Sequence, residues 1–274
     1  MSLVMSLFYR RWRWYRIDST YLMTDVDVAK FVVNGYHLLE LDLPDGLNEH
    51  IAEQLDNLDS NPGDAITDVV PELWQALDHP AVQGALLSLL GEDYEVQSHS
   101  HWHCKQPGSG HMNWHQDSTN NRDIHINRFL GLYYPTDITP DMGPTVIVPG
   151  TQFRNAPTDR MSTYTNIRGQ VPLVVKAGTM AFTHYDLWHG TAANSSSIKR
   201  HMIKFLFRRT KDNAAPTWSH DPEALNHPTD WNGKREDAHN ILTFGNPIGV
   251  SQSDHYKERT IRRQCWNHLM GEAT

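Results

Sequence analysis

The stretch Tyr94–Gln106, "YEVQSHSHWHCKQ", marks the point where the chain changes character. Upstream of it, apolar residues recur at helical spacing. Downstream, short alternating runs are separated by Gly, Pro and Asn clusters. Read as a strand, this stretch places His99, His101, His103 and Lys105 on one face, because side chains at i and i+2 share a face. Three histidines on one strand span roughly 13 Å at about 3.3 Å per residue, too far for one ion to take all three. The face therefore lines a pocket or offers part of a metal site, with the remaining rings in ordinary hydrogen bonds.

The runs that follow keep the extended pattern: "RFLGLYYPTD" (128–137), "GPTVIVPG" (143–150), "QVPLVVKAGTMAFTH" (170–184) and "RHMIKFLFRRT" (200–210). Several short strands at such spacing predict a sandwich or barrel rather than alternating strand and helix units. In the other direction, "TDVDVAKFVVNGY" (24–36) carries a Thr24/Asp25 cap and an apolar face that stops at Gly35, and "YHLLELD" (36–42) looks like a short strand. "PDGLNEHIAEQLDNL" (44–58) sets Leu47, Ile51, Leu55 and Leu58 at helical spacing, and "HPAVQGALLSLLG" (79–91) starts on Pro and ends on Gly. At the far end, "RTIRRQCWNHLMG" (259–271) predicts an amphipathic helix docking Trp266 and Leu269. The expected organisation is an extension of poor order over 1–22 and a single domain over 23–274, with a β core at about 94–210 and a tail at 211–274.

Composition sets the outer bounds. With 274 residues, 39% apolar and 20% charged, the chain has an ordinary globular balance. A formal charge of −8 argues against a nucleic-acid binder, which needs basic patches to neutralise phosphates. Cys104 and Cys265 lie far apart in sequence and neither forms a CxxC, so the expected compartment is reducing and cytoplasmic. No apolar run approaches the roughly 20 residues of a membrane helix, and no membrane partner is expected. The basic, aromatic run "LFYRRWRWYR" (7–16) lacks the apolar segment of a secretory signal. It reads as a poorly ordered extension or start-site artefact, with a membrane-surface or partner-binding arm as the alternative.

The chemistry starts at "NWHQDS" (113–118). In an extended chain His115 and Asp117 point the same way and Gln116 points away, so an imidazole and a carboxylate stand side by side. Two imidazoles and one carboxylate on one face leave three coordination positions of an iron ion free. A third ligand is available in "THYDLWHGTAANSSSIKR" (183–200), where His189 precedes Gly190, a residue small enough to let the chain run close to a metal. Eleven residues later, Arg200 enters a strand. A guanidinium beside such a site suits two-point binding of a carboxylate, a geometry lysine cannot match.

The succession "WHQD", "GPTVIVPGT" and "LWHG…N.S…R" resembles the phytanoyl-CoA dioxygenase family of Fe(II)- and 2-oxoglutarate-dependent oxygenases, over roughly Met23 to Thr210, and the closing "W..LMG" is also common in bacterial members. The resemblance implies a mainly β fold with flanking helices, a double-stranded β-helix or jelly roll of the cupin-like kind. It places the iron triad on His115, Asp117 and His189, the 2-oxoglutarate-binding arginine on Arg200, and a second contact to the same carboxylate on Thr191. The other end of 2-oxoglutarate is assigned to the strand bearing Lys105, with His101 and His103 as substrate contacts. Family members often have a histidine where this chain has Gln152. That position is not a metal ligand, so its change bears on local structure or substrate. No coenzyme A signature is visible.

The implied activity is hydroxylation of a small organic molecule, with Fe(II), 2-oxoglutarate and O2 as cofactor and cosubstrates, ascorbate as a supporting reductant, and succinate and CO2 as products. Related enzymes that halogenate have a small residue at the carboxylate position, so Asp117 implies no halogenation. The alternatives are a cupin-like metalloenzyme with non-oxidative chemistry and a non-catalytic jelly-roll binding protein that keeps the site as a relic.

Overall fold

Thr24 opens the helical layer with a capping box: its hydroxyl accepts from Asp27 N at 3.2 Å while the Asp27 carboxylate accepts from Thr24 N at 3.0 Å. The helix that follows, α1 (Asp25–Asn34), buries Val28, Ala29, Phe31, Val32 and Val33 and ends on Gly35 at φ 75°, a left-handed conformation that favours glycine. The computed structural model describes residues 17–118, 125–154, 166–232, 235–247 and 251–272. The basic aromatic arm at 7–16 lies outside them. Residues 17–22 belong to the folded body, so the expected extension ends earlier than residue 22. Ser19–Tyr21 forms a 3-10 turn so close to the next helical layer that a Cβ added to Gly84 would meet Tyr21 O at 2.1 Å.

After β1 (Tyr36–Glu40) come α2 (Leu47–Asp56), two short helices α3 (Ile66–Val69) and α4 (Leu73–Leu77), and α5 (Pro80–Leu90). The heptad-like spacing in α2 buries Leu47, Ile51 and Leu55 as predicted, and Pro80 occupies the first turn of α5. The β core runs β2 (Tyr94–Lys105), β3 (Met112–His115), β4 (Arg128–Tyr134), β5 (Thr145–Ile147), β6 (Val171–Pro172), β7 (Thr179–His184), β8 (His189–Thr191) and β9 (Arg200–Arg209). These strands form a five-stranded sheet in the order β1-β7-β4-β9-β2 and a four-stranded sheet in the order β3-β8-β5-β6, all pairs antiparallel. This is the jelly roll that the family resemblance implies, and it agrees with the sandwich or barrel predicted from the strand spacing.

The period of two in each strand decides what packs where. On the outer face of the large sheet, Phe129, Tyr133, Met180, Phe182, Ile203, Phe205 and Phe207 share one core with the helices. On the inner face, Leu130, Leu132, Tyr134, Met202 and Leu206 pack with Ile147 and Leu173 of the smaller-sheet side. The segment after Thr210 is no peripheral tail. Helices α6 (Ala238–Phe244) and α7 (Gln252–Leu269) complete the helical layer, and Trp218, Leu242, Trp266 and Leu269 join the outer core. The Asp25 carboxylate accepts from Trp218 Nε1 and Asp221 N, each at 2.7 Å, which ties this segment to the start of α1. Helix α7 starts seven residues before the predicted Arg259, where Ser251 caps it by accepting from Asp254 N.

Candidate metal centre and cosubstrate pocket

A bulge places the first candidate ligand. Between β3 and β8, Met112 pairs with Thr191 but His115, not Trp114, pairs with His189, so β3 carries one extra residue. Such a bulge re-aims the side chains beyond it. Here it sets His115 directly across from His189 with ring centroids 4.2 Å apart, and it turns Trp114 into a buried cluster with Val146 and Val148. The strands approach closely because residue 190 is glycine: a Cβ there would lie 2.8 Å from Met112 O.

Asp117 completes the triangle. Its Oδ1 lies 3.7 Å from His115 Nε2 and 3.9 Å from His189 Nε2, and ligand atoms of the three residues all fall within 4.8 Å of one another. Ligand atoms on one side of an ion with bonds of about 2.1 Å are about 3 Å apart, so the three groups would draw in by roughly 1–2 Å to close on an ion. Both imidazoles are oriented for the task. His115 Nδ1 lies 2.9 Å from Asn113 O and His189 Nδ1 lies 2.9 Å from Leu187 O. A carbonyl only accepts, so each Nδ1 carries the proton and each Nε2 presents its lone pair to the centre. Burial alone would raise the Asp117 carboxyl, but His189, Lys204 and His115 outweigh it and hold it at about 2. Gln116 points away as its alternation requires, its amide donating to Arg154 O and Asp186 O.

The second half of the site comes from β9 and β2. Lys105, His103 and His101 pair in register with Arg200, Met202 and Lys204, which places all six on the inner face. His99 falls in a break of register between Gln97 and His101, and its ring lies 4.7 Å from that of His101. Arg200 is 1% exposed. Its Nη2 donates to Gly143 O at 3.1 Å, while Nε and Nη1 have no partner among the described residues. Two unpaired guanidinium nitrogens in a buried position are costly without a ligand, and they offer the fork that a carboxylate fits.

Thr191 and Lys105 meet beside Arg200: Lys105 Nζ donates to Thr191 Oγ1 at 3.0 Å and to Gly110 O at 2.5 Å. The sequence places Lys105 at the end of the pocket opposite Arg200, whereas the structure sets its ammonium beside Thr191. The register that pairs Lys105 with Arg200 puts the ammonium at the arginine end, where burial and then Arg200 lower its pKa. His103 stands between the two halves, with Nε2 buried and unpaired among the described residues. Burial, then Lys204 and Arg200, push its pKa down to about 3, so the ring is neutral. Asn194 holds the loop that delivers Arg200, donating to Lys105 O and Ile198 O. Gln152 lies away from the centre and donates to Val32 O and Val33 O at the end of α1, a local structural task.

Lys204 is the residue that the sequence reading did not single out. Its Nζ donates to Asp117 Oδ2 at 3.1 Å, and the residue is 8% exposed. It stands four residues past Arg200, on the same face of β9.

The model of the phytanoyl-CoA dioxygenase family matches residues 51–202, just over half of the chain. The chain belongs to the phytanoyl-CoA dioxygenase family. It is thereby an enzyme of the Fe(II)- and 2-oxoglutarate-dependent class, as the resemblance of its motifs implied. Among solved structures, apo HygX from Streptomyces hygroscopicus aligns with a TM-score of 0.57 at 17% identity, over 74% of this chain and 92% of that one. The α-ketoglutarate-dependent epimerase SnoN from nogalamycin biosynthesis aligns with a TM-score of 0.52 at 18% identity, over 66% and 81%. The non-heme monooxygenase ThoJ aligns with a TM-score of 0.55 at 15% identity, over 89% and 98%. These likenesses establish the family fold. No curated protein matches the chain by sequence. No helix among the described residues is long and apolar enough to cross a membrane.

Proposed function

We propose that the chain hydroxylates a small organic molecule, with Fe(II) held by His115, Asp117 and His189 and 2-oxoglutarate anchored on Arg200 and Thr191. The observation that carries this reading is the triangle of Asp117 Oδ1 with two Nε2 atoms whose rings are already turned inward by backbone carbonyls. Iron with 2-oxoglutarate and O2 supplies the oxidising power that converts 2-oxoglutarate to succinate and CO2 and oxidises a C–H bond of the substrate. The residues of the chain do the rest. The triad presents three ligand atoms on one side of the ion and leaves the other side free. The Nε and Nη1 of Arg200, without a partner among the described residues, pair with the far carboxylate of 2-oxoglutarate, and Thr191, whose oxygen already accepts from Lys105, offers its own proton to the same group. His103, neutral and with Nε2 unpaired, faces the space between Arg200 and Asp117, and His101 extends that wall towards the substrate.

Structures of HygX are named with iron bound, with nickel and 2-oxoglutarate bound, and with hygromycin B as well, which supports the same kind of loading here. The test is a screen of small polar molecules with the purified protein, Fe(II), 2-oxoglutarate and ascorbate, reading succinate and the mass of the product. A gain of one oxygen atom, matched by succinate, is expected. A product isomeric with its substrate, or one with two hydrogens fewer, would replace hydroxylation by another oxidation on the same site. No succinate with any substrate, from protein that binds both Fe(II) and 2-oxoglutarate, would reject the oxidative reading.

A further inference from the structure

The two oxygens of Asp117 have different neighbours. Oδ1 faces the two imidazole nitrogens at 3.7 and 3.9 Å. Oδ2 is turned to Lys204, whose ammonium lies 3.1 Å away. Lys204 comes from the middle of β9, paired on one side with Leu132 of β4 and on the other with His101 of β2, so its backbone is held from both sides. Its neighbours on the same face, Met202 and Leu206, belong to the apolar inner core. The fold has no need of an ammonium at this position. An apolar residue would continue the row, and a buried charge costs more than it gives unless it is paired.

A carboxylate bonds an ion through one oxygen or two. Beside two imidazoles, a two-oxygen carboxylate leaves a six-coordinate ion only two positions. A chelating keto acid fills both. A one-oxygen carboxylate leaves three positions, which the chelate and O2 together require. We propose that Lys204 is a positioning residue of the metal centre: by holding Oδ2, it restricts Asp117 to a one-oxygen bond and keeps open the third position. This inference rests on the reading of His115, Asp117 and His189 as metal ligands.

The proposal has a signature that loss of packing would not produce. An ammonium beside a divalent ion opposes metal binding, so removing it leaves Fe(II) affinity unchanged or higher. Releasing Oδ2 at the same time lets it take the position that O2 needs, while the two that the chelate fills stay available. Fe(II) titration under anaerobic conditions, followed by titration of nitric oxide, a stand-in for O2, into the protein loaded with Fe(II) and 2-oxoglutarate, reads both. Lys204→Met is expected to bind Fe(II) at least as tightly as the parent and nitric oxide at least tenfold more weakly. Its Co(II)-loaded form is expected to differ from the parent in visible absorption, which reports coordination number. Lys204→Arg keeps a charged donor and is expected to restore nitric oxide binding to within about threefold of the parent; Lys204→Gln, a neutral donor of shorter reach, replaces the Met variant if that variant fails to fold. Parent-like nitric oxide affinity with an unchanged Co(II) spectrum in Lys204→Met or Lys204→Gln overturns the inference alone. So does weaker Fe(II) binding accompanied by a lower melting temperature. A parent protein that binds neither Fe(II) nor 2-oxoglutarate overturns the metal-centre reading, and this inference with it.

Discussion

At the β3–β8 end of the site each candidate ligand already has a partner, whereas at the β9 end Arg200 has two nitrogens without one among the described residues. His115 and His189 are turned by the carbonyls of Asn113 and Leu187, and Asp117 by Lys204. These bonds exist before any ligand arrives, so the geometry of the metal end is set by the fold. Arg200 instead holds Nε and Nη1 buried and, among the described residues, unpaired, a cost that a bound carboxylate would offset. One end is preorganised and satisfied, the other preorganised and in deficit. Substitutions at the two ends should therefore separate binding from stability in opposite ways.

The largest effect is expected at the satisfied end. His189→Ala should lower Fe(II) affinity by more than the roughly 10–100-fold typical of losing a supporting partner, and it should abolish succinate formation, with the thermal unfolding curve close to that of the parent. Near-normal Fe(II) binding in this variant would break the comparison at its first term. Next comes the end in deficit. Arg200→Ala should weaken 2-oxoglutarate binding by roughly 30-fold to several thousand-fold, corresponding to about 2–5 kcal/mol, while Fe(II) binding survives. Because the substitution also removes an under-paired buried charge, the melting temperature of the metal-free protein should not fall. A marked fall would mean that Arg200 is already satisfied.

The close approach of β8 to β3 gives a third contrast. In Gly190→Ala the new methyl would meet Met112 O at 2.8 Å. Pushing the strands apart should cost on the order of 1–3 kcal/mol in chemical denaturation and weaken Fe(II) while sparing 2-oxoglutarate once iron is bound. The fourth concerns pH. Asp117 is held at about 2, below its ordinary 3.8, so its contribution to folding is present above about pH 4 and is lost as the pH falls through 2. The stability gap between the metal-free parent and Asp117→Asn should thus be widest above pH 4, on the order of 2 kcal/mol, and narrow on acidification. A gap independent of pH would show that Lys204 and the imidazoles do not bias the carboxylate. The smallest effect is expected for Thr191→Ala, about 1 kcal/mol in 2-oxoglutarate affinity for one lost hydroxyl donor, read in the same titration as Arg200→Ala.

Several parts of this site were readable from local pattern. The shared face of His115 and Asp117, the outward turn of Gln116, the small residue after His189 and the shared face of His101, His103 and Lys105 all follow from a period of two and need no knowledge of neighbours. The start of α7 was also written in the chain, since Ser251 and Asp254 are spaced as a helix cap, although the apolar positions by themselves mark only its second half. Lys204 was passed over for a different reason. In a single strand a lysine reads as a solvent-facing residue, and nothing local says that this face turns inward.

What the chain determined by itself was the helix-then-strand order, the alternation within each strand and the kinds of ligand available, because these depend on residues only a few positions apart. Pairing decided the rest. The extra residue that brings His115 opposite His189 appears only when β3 and β8 are laid side by side, and Lys105 moves to the arginine end only because β2 pairs with β9 at Arg200. The same holds for the contact of Lys204 with Asp117, made by residues 87 positions apart. Periodicity is a property of one strand. Register is a property of two, set by the packing of both sheets and their covering helices, and it is register that turns a list of polar side chains into a site.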